Sequence, residues 1–89
     1  MSALPPAAQR FTLTADAAPG MLARVLAPFA KRDVVPDAME ARRTGDAHVV
    51  IVTCLDVDPT DAKLIRGDLL RLVGLRDLNV ECGAPRLAA

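Results

Sequence analysis

Apolar and polar residues alternate along the chain from position 10 to position 16, and the period then changes. Phe11, Leu13 and Ala15 are separated by polar residues, which is the pattern of a β-strand with one buried face. After Pro19 and Gly20, apolar residues recur at the i, i+3, i+4, i+7 spacing of an amphipathic helix. This stripe consists of Leu22, Val25, Leu26 and Phe29. The first third of the chain therefore predicts a strand that turns into a helix.

Two prolines affect the elements that follow. Pro28 lies within the helical stripe, where it removes a hydrogen bond to Arg24 and costs about 3 kcal/mol unless the helix bends. We therefore expect a kink or early fraying of the last turn. Asp33 and Pro36 close the helix and open a second strand over residues 35–42. Because Pro36 cannot donate to a strand ladder, it favours an edge position or the first residue of the strand.

The most β-prone stretch covers residues 48–55 and follows a hairpin signal, Thr44-Gly45-Asp46. Both of its faces are apolar. One face carries Val49, Ile51 and Leu55, and the other carries Val50, Val52 and Cys54. A strand with two buried faces needs cover on both sides. Because the chain has only two helices to offer, we expect another copy of the protein or a partner subunit to supply the second cover.

A second helix is predicted from residue 59 to about residue 73. Asp58 is its expected N-cap residue, Pro59 occupies the first helical position, and Gly74 supplies the stop. The residues expected to face inward are Ala62, Ile65, Leu69, Leu72 and Val73. Alternation over residues 78–82 then predicts a last strand.

The predicted order is strand, helix, strand, strand, helix, strand. Two right-handed crossovers place both helices on one face, which predicts an α+β, ferredoxin-like βαββαβ sandwich with a four-stranded antiparallel sheet in the order 4-1-3-2. We expect the domain to span residues 10–82, between a flexible N-terminal tail over residues 1–9 and a C-terminal tail over residues 83–89. Cys54 and Cys82 then lie about 9 to 10 Å apart, beyond disulfide reach. We expect two buried free thiols.

Composition narrows the range of functions. A chain of 89 residues forms one domain with a thin core, for which oligomerisation is a natural supplement. Equal numbers of acidic and basic residues, and two Phe as the only aromatic residues, argue against nucleic-acid binding. No signal peptide is recognisable, and no apolar run reaches the roughly 18 residues of a membrane span. We expect a cytoplasmic protein without membrane contact.

No group of residues predicts catalysis. The turn after the first strand lacks the Arg of an acylphosphatase-like enzyme and the C-x-x-C of a metal carrier. His48 has no nucleophile or carboxylate placed beside it by the sequence, so we interpret it as a partly exposed structural residue. We interpret Asp56 and Asp58 as a strand exit and a helix cap, and Arg42 with Arg43 as a solvated hairpin edge. The sequence therefore predicts no enzyme activity, no metal and no cofactor.

The turn between the first strand and the first helix is the best candidate for ligand binding. Backbone N–H groups at a helix start are free to bind an anion. The turn consists of Asp16, Ala17, Ala18, Pro19, Gly20, Met21 and Leu22.

A longer motif around this turn resembles that of the ACT domain, and in particular the small regulatory subunits of acetolactate synthase, including the short single-domain kind. The motif reads Asp16-x-x-Pro19-Gly20-x-Leu22-x-x-Val25-Leu26-x-x-Phe29-x-x-Arg32. A second segment is similar to the second helix and last strand of those subunits, and it reads Leu69-x-x-Leu72-Val73-x-Leu75-x-x-Leu78-x-Val80.

The resemblance implies a homodimer that binds a small amino acid at its interface, through this turn and the start of the second strand, where Val35 lies. It also implies a large catalytic subunit as partner. Valine-binding members commonly carry Asn where this chain has Ala17 and Val35, which implies weakened sensing. In the synthase subunits the ligand is a branched-chain amino acid that inhibits the catalytic chain, and the short subunits of this family can activate that chain without binding the inhibitor. Two functions remain open: a regulatory subunit that docks on a larger enzyme through its sheet, and a free-standing homodimer that senses an amino acid.

Overall fold

Four antiparallel strands and two helices make up the described chain. The computed structural model describes residues 4–83. The elements are β1 (Gln9–Asp16), α1 (Met21–Lys31), β2 (Ala38–Thr44), β3 (Ala47–Cys54), α2 (Pro59–Leu70) and β4 (Leu75–Cys82). The strands lie in the order β2-β3-β1-β4, which is the predicted order read in reverse. The predicted ferredoxin-like fold is confirmed. No helix within residues 4–83 is long and apolar enough to cross a membrane.

β1 lies inside the sheet and pairs with β3 on one edge and β4 on the other. Its alternation places Phe11, Leu13 and Ala15 under the helices, where none is more than 1% exposed. The ring of Phe11 meets that of Phe29 edge to face, with the centroids 5.3 Å apart. The other core residues include Met21, Val25, Val50, Val52, Cys54, Ala62, Ile65 and Leu69. One sheet face and one stripe of each helix thus form the core.

β3 buries only one of its two apolar faces in this chain. Val50, Val52 and Cys54 are at most 1% exposed beneath the helices. Val49 and Ile51 point to the opposite face and are half-buried. The helix-free side of the sheet, which we call the open face, is therefore incompletely covered by residues 4–83.

β2 begins later than predicted, at Ala38 rather than at residue 35, and Pro36 precedes it. The intervening residues complete the turn after α1, in which Asp33 has a positive φ of 55°. The N–H of Asp37 donates to the carbonyl of Thr53 at 2.8 Å, just before the ladder starts. The edge position that Pro36 indicated is confirmed, because β2 pairs with β3 alone in the described sheet.

α1 continues through Pro28 to Lys31, so the predicted early fraying is wrong. Pro28 cannot donate to Arg24, but Arg32 supports the last turn from outside. Its Nη1 atom donates to the carbonyl of Pro28 at 3.2 Å and to the Asp68 carboxylate at 2.7 Å. This guanidinium therefore gives a carbonyl in the last turn of α1 a hydrogen-bond donor, and its ion pair with Asp68 joins α1 to α2. A kink at Pro28 stays a prediction.

α2 begins where predicted and ends earlier. Asp58 accepts a hydrogen bond from the N–H of Thr60 at 2.8 Å, which confirms the N-cap. Val73 was expected to face inward, but it is 82% exposed. The N–H of Leu72 donates to the carbonyl of Leu69, only three residues earlier, as in a tighter 3₁₀ turn. The α-helical spacing therefore ends before Val73, whose side chain does not follow the inward stripe.

The two cysteines differ in exposure. Both lie opposite Gln9, on either side of β1, which is the predicted separation of two strand spacings, and both are free thiols. Burial raises the pKa of the Cys54 thiol. Cys82 is exposed because it ends an edge strand, so the prediction of two buried thiols is wrong for this residue.

The residues before β1 contact the ends of other elements. The N–H of Val57 donates to the carbonyl of Ala7 at 3.2 Å, and that of Gly83 to the carbonyl of Ala8 at 2.9 Å. Ala8 is fully buried. Residues 1–3 and 84–89, which belong to the predicted tails, lie outside the described residues.

Replacing Leu69 by Ala should lower the free energy of unfolding by about 2–5 kcal/mol, because its fully buried side chain leaves a cavity. The matched Val73→Ala should change that free energy by less than about 0.5 kcal/mol. Urea unfolding followed by circular dichroism measures both. Equal losses for the two variants would show that Val73 is buried.

Candidate functional site

Backbone hydrogen bonds from two neighbouring loops hold the turn after β1. The N–H of Asp16 donates to the carbonyl of Gly74 at 2.9 Å, and that of Ala17 to the carbonyl of Asp46 at 2.9 Å. The N–H of Ala18 donates to the carbonyl of Asp16 at 2.8 Å, which reverses the chain before α1. The turn, the β2–β3 hairpin and the start of β4 therefore meet at one end of the sheet.

The start of α1 keeps free backbone donors. Gly20 adopts a left-handed conformation with φ 78°, and no side chain caps the helix. The N–H of Met21 bonds to the carbonyl of Ala18 at 3.1 Å. The N–H groups of Leu22 and Ala23 have no partner among the described residues. Free backbone donors at this helix start were predicted from the sequence, and anion binding by them stays a prediction.

The predicted site residues do not all lie together. Asp16 to Leu22 form the turn, although the side chain of Met21 is only 1% exposed and belongs to the core. Val35 follows the opposite end of α1 and is 84% exposed. The helix has 11 residues and rises about 16 Å, so the turn and Val35 are far apart within one chain.

One side chain, Arg76 of β4, ties the turn to the hairpin. Its Nε atom donates to Asp16 Oδ1 at 2.7 Å, and its Nη1 atom to Asp46 Oδ1 at 3.3 Å. Its Nη2 atom donates to the backbone carbonyl of Asp46 at 3.1 Å. The hydrogen bond and charge of the guanidinium lower the pKa of the Asp46 carboxyl, and hydrogen bonds to both carboxylates raise the pKa of Arg76. We call these three residues the Arg76 cluster.

Gly74 presses against the same turn. Its φ is 95°, a conformation that strains any residue with a side chain. A Cβ atom here would lie 2.8 Å from Met21 Cε and 3.2 Å from Asp16 Oδ2. The positive φ therefore favours glycine at position 74, and a larger residue would also displace the side-chain ends of Met21 and Asp16.

Sequence reasoning missed the cluster and the packing of Gly74. Asp46 was interpreted as part of a hairpin signal and Gly74 as a helix stop. The predicted last strand began at residue 78, which left Arg76 in a loop. The available signal was opposite charge, because Asp16 ends β1, Arg76 is the second residue of β4, and antiparallel neighbours bring those ends together.

The open face is a second candidate surface. Its centre consists of half-buried β-branched residues from β1 and β3, including Thr12, Thr14, Val49 and Ile51. A cavity of about 500 Å³ lies along β2 and β3. Its lining residues are Glu40, Ala41, Arg42, Thr44, Val49 and Ile51.

The remaining chemical groups are dispersed. His48 is half-buried, as expected, and its Nδ1 atom is buried without a hydrogen-bond partner in the described chain. Residues 4–83 contain no cluster of three or more His, Cys, Asp or Glu side chains that could hold a metal ion.

The fold and the turn define a class, the ferredoxin-like βαββαβ domains with a candidate ligand site at a helix start. Comparison with protein families matches residues 5–85 to the ACT-like domain. The chain therefore belongs to the ACT-like domain family. ACT domains are regulatory domains that bind small molecules such as amino acids, and they commonly dimerise. No curated protein matches the chain.

Replacing Gly74 by Ala should lower the free energy of unfolding by roughly 1–3 kcal/mol, because the new Cβ is strained and meets Met21 and Asp16. Gly67 is a matched control in α2, where a Cβ meets nothing within 4 Å. Gly67→Ala should raise stability by about 0.5–1 kcal/mol. Denaturant unfolding measures both variants, and the same sign for both would contradict the proposed packing of Gly74.

Replacing Arg76 by Gln should raise the pKa of Asp46 towards its ordinary range, because its main stabilising hydrogen bond is lost. A lowered carboxyl pKa stabilises the fold above the unfolded value of about 4, and this stabilisation disappears as the pH falls through the folded value. The variant should therefore lose less stability on acidification than the natural protein. Carboxyl NMR titration and acid unfolding test both effects.

Asp68 provides the internal control for that titration, because its pKa is lowered by Arg32 instead. It should keep its pKa in Arg76→Gln and lose the shift in Arg32→Gln. An Asp46 pKa that is unchanged in Arg76→Gln, or that rises in Arg32→Gln, would refute Arg76 as the cause of the lowered pKa.

Proposed function

We propose that this chain is a regulatory, non-catalytic ACT subunit that modulates or stabilises an amino-acid biosynthetic enzyme, with the catalytic chain of acetolactate synthase as its partner. Membership of the ACT-like family supports the regulatory role. The resemblance of the motif from Asp16 to Arg32 to the small subunits of that synthase supports the choice of partner. The protein acts by contact with the large subunit rather than through chemistry of its own.

The observation that carries this proposal is the absence of side-chain donors in the turn. Ala17 and Ala18 supply no polar group, and Val35 is both apolar and distant. Each missing polar contact weakens an amino-acid site by about 0.5–1.5 kcal/mol, so two missing amides reduce affinity roughly tenfold or more. An apolar residue that is 84% exposed, such as Val35, suits contact with a protein better than capture of an amino acid.

A second candidate is a free-standing homodimer that senses a small amino acid. The free N–H groups of Leu22 and Ala23 favour it, because they offer two donors for a carboxylate. Val35 reaches such a site only if a second copy brings it there. This function therefore requires a dimer that joins opposite ends of two chains.

The test mixes the purified protein with the acetolactate synthase catalytic chain from the same cell. We expect the two to elute together in size-exclusion chromatography and the synthase rate or thermal half-life to rise until the ratio is stoichiometric. Valine should leave both effects unchanged, because the turn lacks its polar contacts. Separate elution with no effect on rate or half-life would exclude the proposed partner.

Titration calorimetry of the isolated protein with each of the twenty amino acids distinguishes the amino-acid sensor from the regulatory subunit. We expect no heat of binding at millimolar concentrations for the natural protein. Ala17→Asn restores a side-chain amide to the turn, and Ala18→Asn is the neighbouring control. Tight binding of a branched-chain amino acid to the natural protein would favour the sensor over the subunit.

A further inference from the structure

A groove runs between α2 and β4 along one edge of the sheet, and we call it the α2–β4 groove. Its volume is about 290 Å³, and its lining includes Lys63 and Arg66 from α2 and Val80 and Cys82 from β4. Val80 lies opposite Phe11 in the register and therefore points to the helix side of the sheet. Lys63, Arg66 and Cys82 are exposed. Because a small-molecule site buries most of its ligand, these open walls suit an extended chain better.

The α2–β4 groove carries two positive charges that the described chain does not compensate. Lys63 and Arg66 form no ion pair within residues 4–83. The acidic side chains of β4, Asp77 and Glu81, lie on the opposite face of the strand, because side chains alternate along it. Asp68 of α2 pairs with the guanidinium at the end of α1, at 2.7 Å. The groove is therefore complementary to acidic groups.

β4 also offers a row of backbone groups beside this groove. Within the described sheet it pairs with β1 alone, so the N–H and C=O groups on its other side have no strand to bond. An extended segment can add to such an edge as a further strand. Main-chain hydrogen bonds then supply affinity, and alternate side chains supply specificity.

Charge distinguishes this edge from the other edge of the sheet. The cavity along β2 and β3 is lined by both Glu40 and Arg42, which carry opposite charges. The α2–β4 groove is lined by two cations and by no carboxylate of the described chain. An acidic segment is therefore directed to β4 rather than to β2.

We propose that the α2–β4 groove and the free edge of β4 bind an extended acidic segment of the partner enzyme, which adds to β4 as a further strand. This docking mode rests on the proposed function and supplies the contact through which the subunit holds its enzyme. Every second side chain of the added strand points towards α2. Acidic residues at two such positions meet Lys63 and Arg66, and an apolar residue at the next position meets Leu70.

The spacing along α2 fits such a strand. Lys63, Arg66 and Leu70 follow one another at the i, i+3, i+7 spacing, which places them on one flank of the helix. Cβ atoms three residues apart on a helix are separated by about 5–6 Å. Alternate residues of a strand are about 6.6 Å apart, a difference that the long cationic side chains span. Leu70 is 51% exposed and so remains free for the contact. In one direction or the other, the segment therefore reads acidic, any, acidic, any, apolar.

An acidic peptide tests the docking site without the enzyme. The probe has eight residues, as β4 does, alternates glutamate with threonine, and carries a fluorophore whose anisotropy reports binding. Lys63→Glu combined with Arg66→Glu should weaken binding about tenfold or more, because two attractive contacts become repulsive. Arg24→Glu combined with Lys31→Glu is the matched control on α1, and it should change affinity less than about twofold, because screening limits distant charges. Circular dichroism verifies folding.

Methylated peptides separate strand addition from loose attraction of charge. One probe is methylated at the backbone nitrogens of its glutamates and the other at those of its threonines. Because alternate residues of a strand direct their N–H groups to opposite edges, only one set faces β4. One methylation pattern should therefore abolish binding, and the other should preserve it.

Cys82 reports where the peptide binds, because its thiol lines the α2–β4 groove. The unmethylated peptide should slow alkylation of Cys82 by iodoacetamide about tenfold when it is present at about ten times its Kd. Free glutamate at the same carboxylate concentration should give no protection. Mass spectrometry distinguishes Cys82 from the buried Cys54.

Absence of peptide binding at millimolar concentration would overturn the proposal. So would equal weakening by the two double variants, binding that survives both methylation patterns, or an unchanged alkylation rate of Cys82. If the synthase chain co-elutes equally with the natural protein and with the Lys63→Glu, Arg66→Glu variant, the docking site is refuted and the proposed function stands. If the peptide binds and the synthase does not, the proposed partner is refuted and the docking site stands.

Discussion

Cover on a single face of the sheet is the constraint on which the rest of this structure depends. The described chain supplies two helices, and both pack over the side of β1 that carries Phe11 and Leu13. That side becomes a closed aliphatic core around one aromatic pair. The opposite side keeps half-buried residues such as Val49 and Ile51. Covering an incompletely buried β-branched surface lowers the free energy, which is the physical reason to expect that another molecule covers this face.

The turn after β1 depends on the same arrangement, because the central position of β1 brings three loops to one end of the sheet. Gly74 lies close enough to accept from Asp16, and the hairpin carbonyl of Asp46 accepts from Ala17. Arg76 then joins both acidic side chains. The turn is therefore rigidly held by groups that lie outside it in the sequence. Ala17 and Ala18 contribute no polar side-chain group, so the turn has a well-held backbone but few side-chain contacts for a ligand.

Element type and topology followed from the sequence because they depend on local periodicity. The alternation around Phe11 and the N-cap at Asp58 are local signals, and both predicted the observed elements. Errors arose where distant contacts decide the outcome. Arg32 reaches Asp68 and so supports the helix end beyond Pro28. The tighter backbone turn at the end of α2 leaves the side chain of Val73 exposed. The Arg76 cluster joins strands that are remote in sequence, so no local pattern contains it.

The charge balance of the Arg76 cluster limits what the turn can bind. Two carboxylates, on Asp16 and Asp46, share one guanidinium, so the three side chains together carry one net negative charge. A ligand carboxylate that approached the N–H groups of Leu22 and Ala23 would enter beside that charge. The attraction of the helix start is worth about 0.3–1 kcal/mol at an exposed site, and the net negative charge of the cluster opposes it. The cluster that holds the turn therefore also disfavours acidic ligands there, which supports the proposed regulation by contact with another protein over amino-acid sensing.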